Sequence, residues 1–325
     1  MSLTFRADAY IDGKWRASAQ RFDVLNPANQ EVIARVPDLG GAETQEAVEA
    51  AHRAFPAWAA KSAKERAATL RAWFDLMMGD LDRLARLISL EGGKPIAEAK
   101  GEAAYGAAFV EWFGEEAKRA YGRTIPSTTP TRRYVTIRQP IGVSAAITPW
   151  NVPLAIFIGM ATAALAAGNT VLAKPAEQTP LIAALAVRLC HEAGIPDDVL
   201  QLVPGDGKVG ALLTARPEIA GVAFTGSTET ARAINRALAQ RDGPIATLIA
   251  ETGGQNAMIV DSSALPEQVT RDVVASAFQS AGQRCSALRV LYLQDDVYDG
   301  MLEMIRGAFE ALVIGDPLQL TTDVG

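Results

Sequence analysis

The chain has only two histidines, His52 and His191, and two cysteines, Cys190 and Cys285, in 325 residues. That scarcity excludes a disulfide framework and argues against a histidine-based triad or a His-rich metal centre; no metal is expected, and a reducing cytoplasm fits. No apolar run reaches membrane-spanning length, and residues 1–8 lack the apolar core of a signal peptide. Positive charge is also short, with 31 Lys and Arg against 37 Asp and Glu and a net charge of −6. The one conspicuous basic pair, Arg132-Arg133, sits in a polar loop, so no nucleic-acid face is expected. Internal repeats and low-complexity tracts are absent as well.

What is present is the composition of a soluble globular protein, 49% hydrophobic and 21% charged, too long for one ordinary core. Residues 9–38 read as short strands and turns, with a hairpin at Asp12-Gly13. From Gly41 to about Ala120 the pattern is helical, with breaks expected at Pro56, Gly79 and Gly92-Gly93. Trp112 and Phe113 on the last of these helices read as core. Residues 134–139 alternate like an exposed edge strand, of the kind a partner chain can cap.

From Val143 onward, apolar runs at 143–148, 170–174, 199–203, 221–224 and 246–251 alternate with helical stretches at 153–167, 180–193, 207–214 and 227–241. That alternation predicts a parallel sheet with helices on both faces, binding ligands at its strands' carboxyl ends. A smaller unit follows: a strand at 257–261, a helix at 266–280, a cysteine turn, a strand at 290–293 and a helix at 299–312. The fold class is α/β, a Rossmann-like sheet domain plus an incomplete α/β catalytic domain.

The strand ends carry the chemistry. Gly205-Asp206-Gly207-Lys208-Val209-Gly210 matches G-x-G-x-x-G, either a dinucleotide loop or only a tight turn. Thr225-Gly226-Ser227 before a helix reads as a diphosphate site or an ordinary cap. Lys174 and Glu177 flank a proline turn and could hold the hydroxyls of an adenosine ribose, or stand as solvated charges; the carboxylate would repel a 2′-phosphate and favour NAD. Asn151 offers an amide donor to an oxyanion, with the Cys285 backbone N–H as a second. Cys285 lies in a polar, glycine-containing turn and Cys190 on an apolar helix face, so Cys285 is the better nucleophile of the two, and Arg284 or a bound nicotinamide cation could lower its pKa. Glu251, ending a strand, is a carboxylate able to activate water.

In order and spacing, Pro149-Trp150-Asn151, Lys174-Pro175-Ala176-Glu177-Gln178-Thr179-Pro180, Phe224-Thr225-Gly226-Ser227, Glu251-Thr252-Gly253-Gly254 and Gly282-Gln283-Arg284-Cys285 resemble the aldehyde dehydrogenase superfamily. The resemblance implies Cys285 as nucleophile, Asn151 as oxyanion donor and Glu251 as general base. It further implies Lys174 and Glu177 on the ribose, Ser227 and its helix on the diphosphate, and Ile147, Pro149 and Trp150 lining the cofactor cleft. Up to about Thr148 the chain is similar to succinate-semialdehyde dehydrogenases. From Pro153 it is similar to the glutamate-semialdehyde dehydrogenase module of bifunctional proline-utilisation enzymes, which implies proline catabolism and a role for Ser286 on a substrate carboxylate. Family members continue beyond the point where this chain stops. Residues 1–252 then form the NAD-binding domain, with an oligomerisation arm at about 124–142, and 253–325 the first part of a catalytic domain. Such a piece is expected to bind NAD weakly and turn over little, and to form a homo-oligomer only when full length. The expected function is NAD-dependent oxidation of a carboxylate-bearing semialdehyde; the alternative is a non-catalytic dinucleotide-binding fragment. A relative that passes the thioester to phosphate or coenzyme A is disfavoured by Glu251, a base suited to hydrolysis.

Overall fold

The computed structural model describes residues 7–325. Residues 1–6, most of the segment read for a signal peptide and the start of the expected 1–252 domain, lie outside the described residues. Two hairpins come first: β1 (Ala9–Ile11) with β2 (Lys14–Arg16), and β3 (Arg21–Leu25) with β4 (Val32–Pro37). The first turns at Asp12 and Gly13, both left-handed at φ 51° and 71°, the conformation that makes Asp-Gly a hairpin turn.

Four helices follow, α1 (Gly41–Ala60), α2 (Ala63–Gly79), α3 (Leu81–Gly92) and α4 (Ile96–Glu116). The expected break at Pro56 does not occur. The ring removes the N–H that would bond the His52 carbonyl, but Pro56 and His52 are both exposed, so water can take that carbonyl. The chain breaks at Lys61-Ser62 instead, where Ser62 and Glu65 form a reciprocal capping box on α2. Next comes an antiparallel arm, β5 (Arg123–Ile125) with β6 (Tyr134–Thr136), exposed along its whole length.

The alternating section is β7 (Val143–Ile147), α5 (Pro153–Ala166), β8 (Thr170–Lys174), α6 (Pro180–Glu192), β9 (Leu200–Leu202), α7 (Gly207–Ala215), β10 (Ile219–Thr225), α8 (Thr228–Ala239) and β11 (Thr247–Glu251). The sheet order is β11-β10-β7-β8-β9-β1-β2, the first five strands parallel and β1 antiparallel to β9. Side chains alternate between two cores. Ala145, Leu172, Val222 and Phe224 pack towards α1, α7 and α8; Ala146, Val171 and Ala173 pack towards α5 and α6, backed by α2 to α4. Burial on both faces is why these strands read as unbroken apolar runs. The chain steps from β7 to β8 to β9, then returns to lay β10 on the other side of β7. That reversal makes a topological switch point between β7 and β10, where such sheets open a crevice.

Beyond Glu251, β12 (Asn256–Val260) pairs in parallel with β13 (Leu288–Leu293), with α9 (Pro266–Phe278) between them and α10 (Asp295–Glu310) after. The last helix starts ahead of the expected 299 because Asp295 and Asp296 fill its first turn, where the helix dipole favours carboxylates. Among the described residues no helix is long and apolar enough to cross a membrane.

Candidate active site

A cleft of about 470 Å³ opens at the switch point. Ile147, Pro149 and Trp150 line it from the end of β7, Lys174 and Glu177 from β8, and Thr225, Gly226 and Ser227 from β10. Its floor is apolar, with Phe224, Ile234 and Ala237. Gly226 is required here, since a Cβ would stand 2.5 Å from Cζ of Phe224. Lys174 is 5% exposed. Burial pulls its ammonium below the usual lysine range, opposed by Glu177, whose Oε2 lies 3.6 Å from Nζ. Gly205 is not among the lining residues, whereas Gly207 and Gly210 are. Gly205 is a turn glycine: its φ is 149°, and a Cβ would run into Val209. The G-x-G-x-x-G spacing therefore places its second and third glycines at the cleft and its first beneath it.

Four helices begin at this end of the sheet, and their caps differ. Glu102 of α4 accepts from the Leu154 and Ala155 N–H groups of α5, at 2.9 and 3.3 Å. Glu91 of α3 accepts from Leu181 and Ile182 of α6, at 2.9 and 2.8 Å; burial nevertheless pushes its carboxyl up to about 8. Asp206 accepts from Lys208 at the start of α7. Only α8 is capped by a neutral side chain, the Ser227 hydroxyl accepting from Thr230 N–H at 3.1 Å. Its first turn also carries Glu229, exposed and bonded to Ser227. Carboxyl groups thus meet the first N–H groups of α5, α6 and α7, whereas at α8 the cap is the Ser227 hydroxyl, with the Glu229 carboxylate in the first turn beside it.

The cysteine turn stands beside this cleft. Ser280, Ala281 and Gly282 are all left-handed, at φ 52°, 53° and 69°. For the two with a Cβ that geometry costs about 1–2 kcal/mol each. A Cβ on Gly282 would stand 2.6 Å from the Ala277 carbonyl oxygen. The turn delivers an exposed Cys285, its carbonyl accepting from Asn256 Nδ2 at 2.6 Å. Asn151 Nδ2 donates to the Gln283 carbonyl at 2.6 Å, which brings the Asn151 loop to the cysteine turn. Trp150 and Gln178 line both the cleft and a second cavity, of about 370 Å³, shared by Asn151, Ser280 and Gln283. Ser286 is exposed on the same turn.

Two expected neighbours lie elsewhere. Arg284 turns away from the thiol, donating to the Ala275 and Ser276 carbonyls at the end of α9. Glu251, exposed at the end of β11, lines a separate apolar cavity with Ile141, Met160 and Ile249. The main chain after it passes close to the cysteine turn: a Cβ on Gly254 would stand 3.9 Å from the Cys285 carbonyl oxygen. Glu91, Glu98, Glu102 and Asn256, which hold the loops of the site, carried no local sequence signal that singled them out. No cluster of residues able to hold a metal occurs among the described residues.

The model of the aldehyde dehydrogenase family matches residues 15–325. This chain belongs to the aldehyde dehydrogenase family. It is 47% identical over 324 residues to a glutarate-semialdehyde dehydrogenase of Pseudomonas putida, covering 99% of this chain and 67% of that one. It is 46% identical over 327 residues to an NADP-dependent succinate-semialdehyde dehydrogenase of Escherichia coli, covering 100% and 67%. A solved proline utilization A (PutA) protein of Bradyrhizobium japonicum superposes with a TM-score of 0.86 at 51% identity, over 89% of this chain and 30% of that one. The chain thus spans about two thirds of the length of the first two relatives. Both kinds of aldehyde dehydrogenase expected from the sequence are among its relatives, each matching most of the chain.

Proposed function

We propose that this chain carries the cofactor-binding and nucleophile-bearing parts of an NAD-dependent dehydrogenase of a carboxylate-bearing semialdehyde. The observation that carries the reading is the Asn151–Gln283 bond, which joins the oxyanion donor to the cysteine turn beside a cleft at the switch point. The cleft fits a dinucleotide: an apolar floor for adenine, a lysine–glutamate pair for ribose hydroxyls, and the α8 N-terminus for the diphosphate. The bound nicotinamide would supply the hydride acceptor. Cys285 attacks the aldehyde carbonyl, and the Asn151 amide with the Cys285 N–H holds the resulting oxyanion. The thioester left on Cys285 is hydrolysed by water activated by Glu251, whose exposed side chain has to leave the α5-side cavity to do so. Ser286 donates to the substrate's distal carboxylate. Two free thiols, one buried and one exposed, fit a reducing cytoplasm, and the exposed β5–β6 arm fits a homo-oligomer of the full-length protein.

In the full-length protein, kcat/KM should be higher for succinate, glutarate or glutamate semialdehyde than for simple aliphatic aldehydes. A preference for the aliphatic compounds would remove the role given to Ser286. NAD should outperform NADP, with Glu177→Gln shifting the ratio towards NADP by about tenfold, or 1.4 kcal/mol; faster turnover of the parent with NADP contradicts the reading of Glu177. Glu251→Gln should lower steady-state turnover by about 10²-fold or more while the first-turnover burst of NADH persists. Loss of the burst in that variant would move Glu251 from hydrolysis to the attack step.

A further inference from the structure

Helix α4 reaches both halves of the site through carboxylates one turn apart. Glu98 Oε2 accepts from Ser280 N–H and from the Ser280 hydroxyl, each at 2.9 Å, and so grips the first left-handed residue of the cysteine turn. Glu102, four residues on, is 7% exposed and holds the first turn of α5, which begins directly after Asn151 and Val152. Its second oxygen is ion-paired with buried Lys94. Another turn along, Gly106 also faces α5, where a Cβ would stand 3.4 Å from Cα of Ala155. Glu98, Glu102 and Gly106 therefore form one stripe at i, i+4 and i+8.

The turn held by Glu98 is strained. One further tie is the Asn151–Gln283 bond itself, and the rest come from the turn's own side of the chain. Arg289 donates to the Gly282 carbonyl at 2.7 Å, and Gln283 Nε2 to the Ser280 carbonyl at 3.1 Å. Those bonds shape the turn but do not fix where it stands relative to Asn151. The Asn151–Gln283 bond joins the two at one point, and two charge-assisted bonds to Ser280, from the helix that also caps α5, brace the start of the turn against the same frame.

We propose that Glu98 and Glu102 are positioning residues, spaced on one rigid helix so as to set the distance between the Cys285 nucleophile and the Asn151 oxyanion donor. The inference rests on the dehydrogenase reading for its consequence, since a misplacement of about 1 Å can cost about 10²-fold in rate.

The test uses the full-length protein and three readouts: the rate of the NADH burst per titrated Cys285 thiol, the Kd for NAD, and the rate of Cys285 alkylation by iodoacetamide. Glu98→Ala should slow the burst by about tenfold or more, change the alkylation rate, and leave the Kd for NAD alone. Glu98→Gln, whose amide oxygen still accepts from Ser280, should recover most of the burst; Glu98→Asp, one methylene shorter, should not. In the Asn151→Ala background Glu98→Ala should cost much less, because the distance it sets no longer matters. A burst per titrated site equal to the parent's in Glu98→Ala, or equal losses in Glu98→Ala and Glu98→Gln, overturns the proposal. If Glu98→Ala does not fold, Ser280→Ala removes the hydroxyl half of the same contact and is read the same way. A parent protein with no burst overturns the dehydrogenase reading instead; the alkylation rates then still decide the positioning claim, which fails if Glu98→Ala leaves them unchanged.

Discussion

Replacing Cys285 by alanine should abolish the aldehyde-dependent burst of NADH, a loss of at least about 10⁴-fold in the first-turnover rate. The chain has one other thiol. Cys190 is 0% exposed inside α6, and burial holds its thiol well above the usual range, so it can neither reach an aldehyde nor ionise near neutral pH. Cys285 is exposed and ends a turn whose left-handed residues nothing but a local geometric demand explains. Iodoacetamide should accordingly label the parent at Cys285 alone and block its burst, and the alanine variant should go unlabelled while still binding NAD. A burst that survives Cys285→Ala would end the covalent mechanism.

The second large effect is expected at Asn151. Its side chain has two N–H donors, one on the Gln283 carbonyl, leaving the other for an oxyanion on the substrate carbon. Asn151→Ala should lower the burst rate by roughly 10²-fold, about 3 kcal/mol of transition-state stabilisation, with little change in KM. The asymmetry is the diagnostic part, because the charge to be held exists only after Cys285 has attacked. Equal losses in kcat and in aldehyde affinity would make Asn151 a binding residue. Asn151→Asp should be at least as damaging, since it offers no donor and sets a negative charge against the developing one.

Much of this architecture could be read from local pattern. The inner parallel strands β7, β8 and β9 are largely buried on both faces, so each is an apolar run ended by a proline turn, and β8 falls at the residues expected. The cleft residues were legible for the same reason, since a parallel sheet presents ligands at its strand ends and the motifs stand there. Misreadings came where solvent or distant contacts decide. Pro56 stays helical because its side of α1 is wet. Gly205 serves the turn because Val209 occupies the space above it. Arg284, adjacent in sequence to Cys285, is drawn off by the carbonyls that end α9. Nothing near Glu98 indicates Ser280, 182 residues later, and nothing near Glu91 indicates α6, 90 residues later. Such long-range carboxylates are set by helix packing, and a single sequence read locally carries no trace of it.

The antiparallel junction between β1 and β9 has a consequence for synthesis. Tyr10, paired in register with Leu202, also hydrogen-bonds to Asp197, 187 residues further on. At a ribosomal rate of about 5–20 residues per second, that hairpin waits roughly ten to forty seconds for its partner strand. Because β9 precedes β10 in the chain, the far margin of the sheet can be completed before the β7–β10 crevice exists. A nascent chain stalled between β9 and β10 would carry that margin without the crevice, which forms only when β10 pairs with β7.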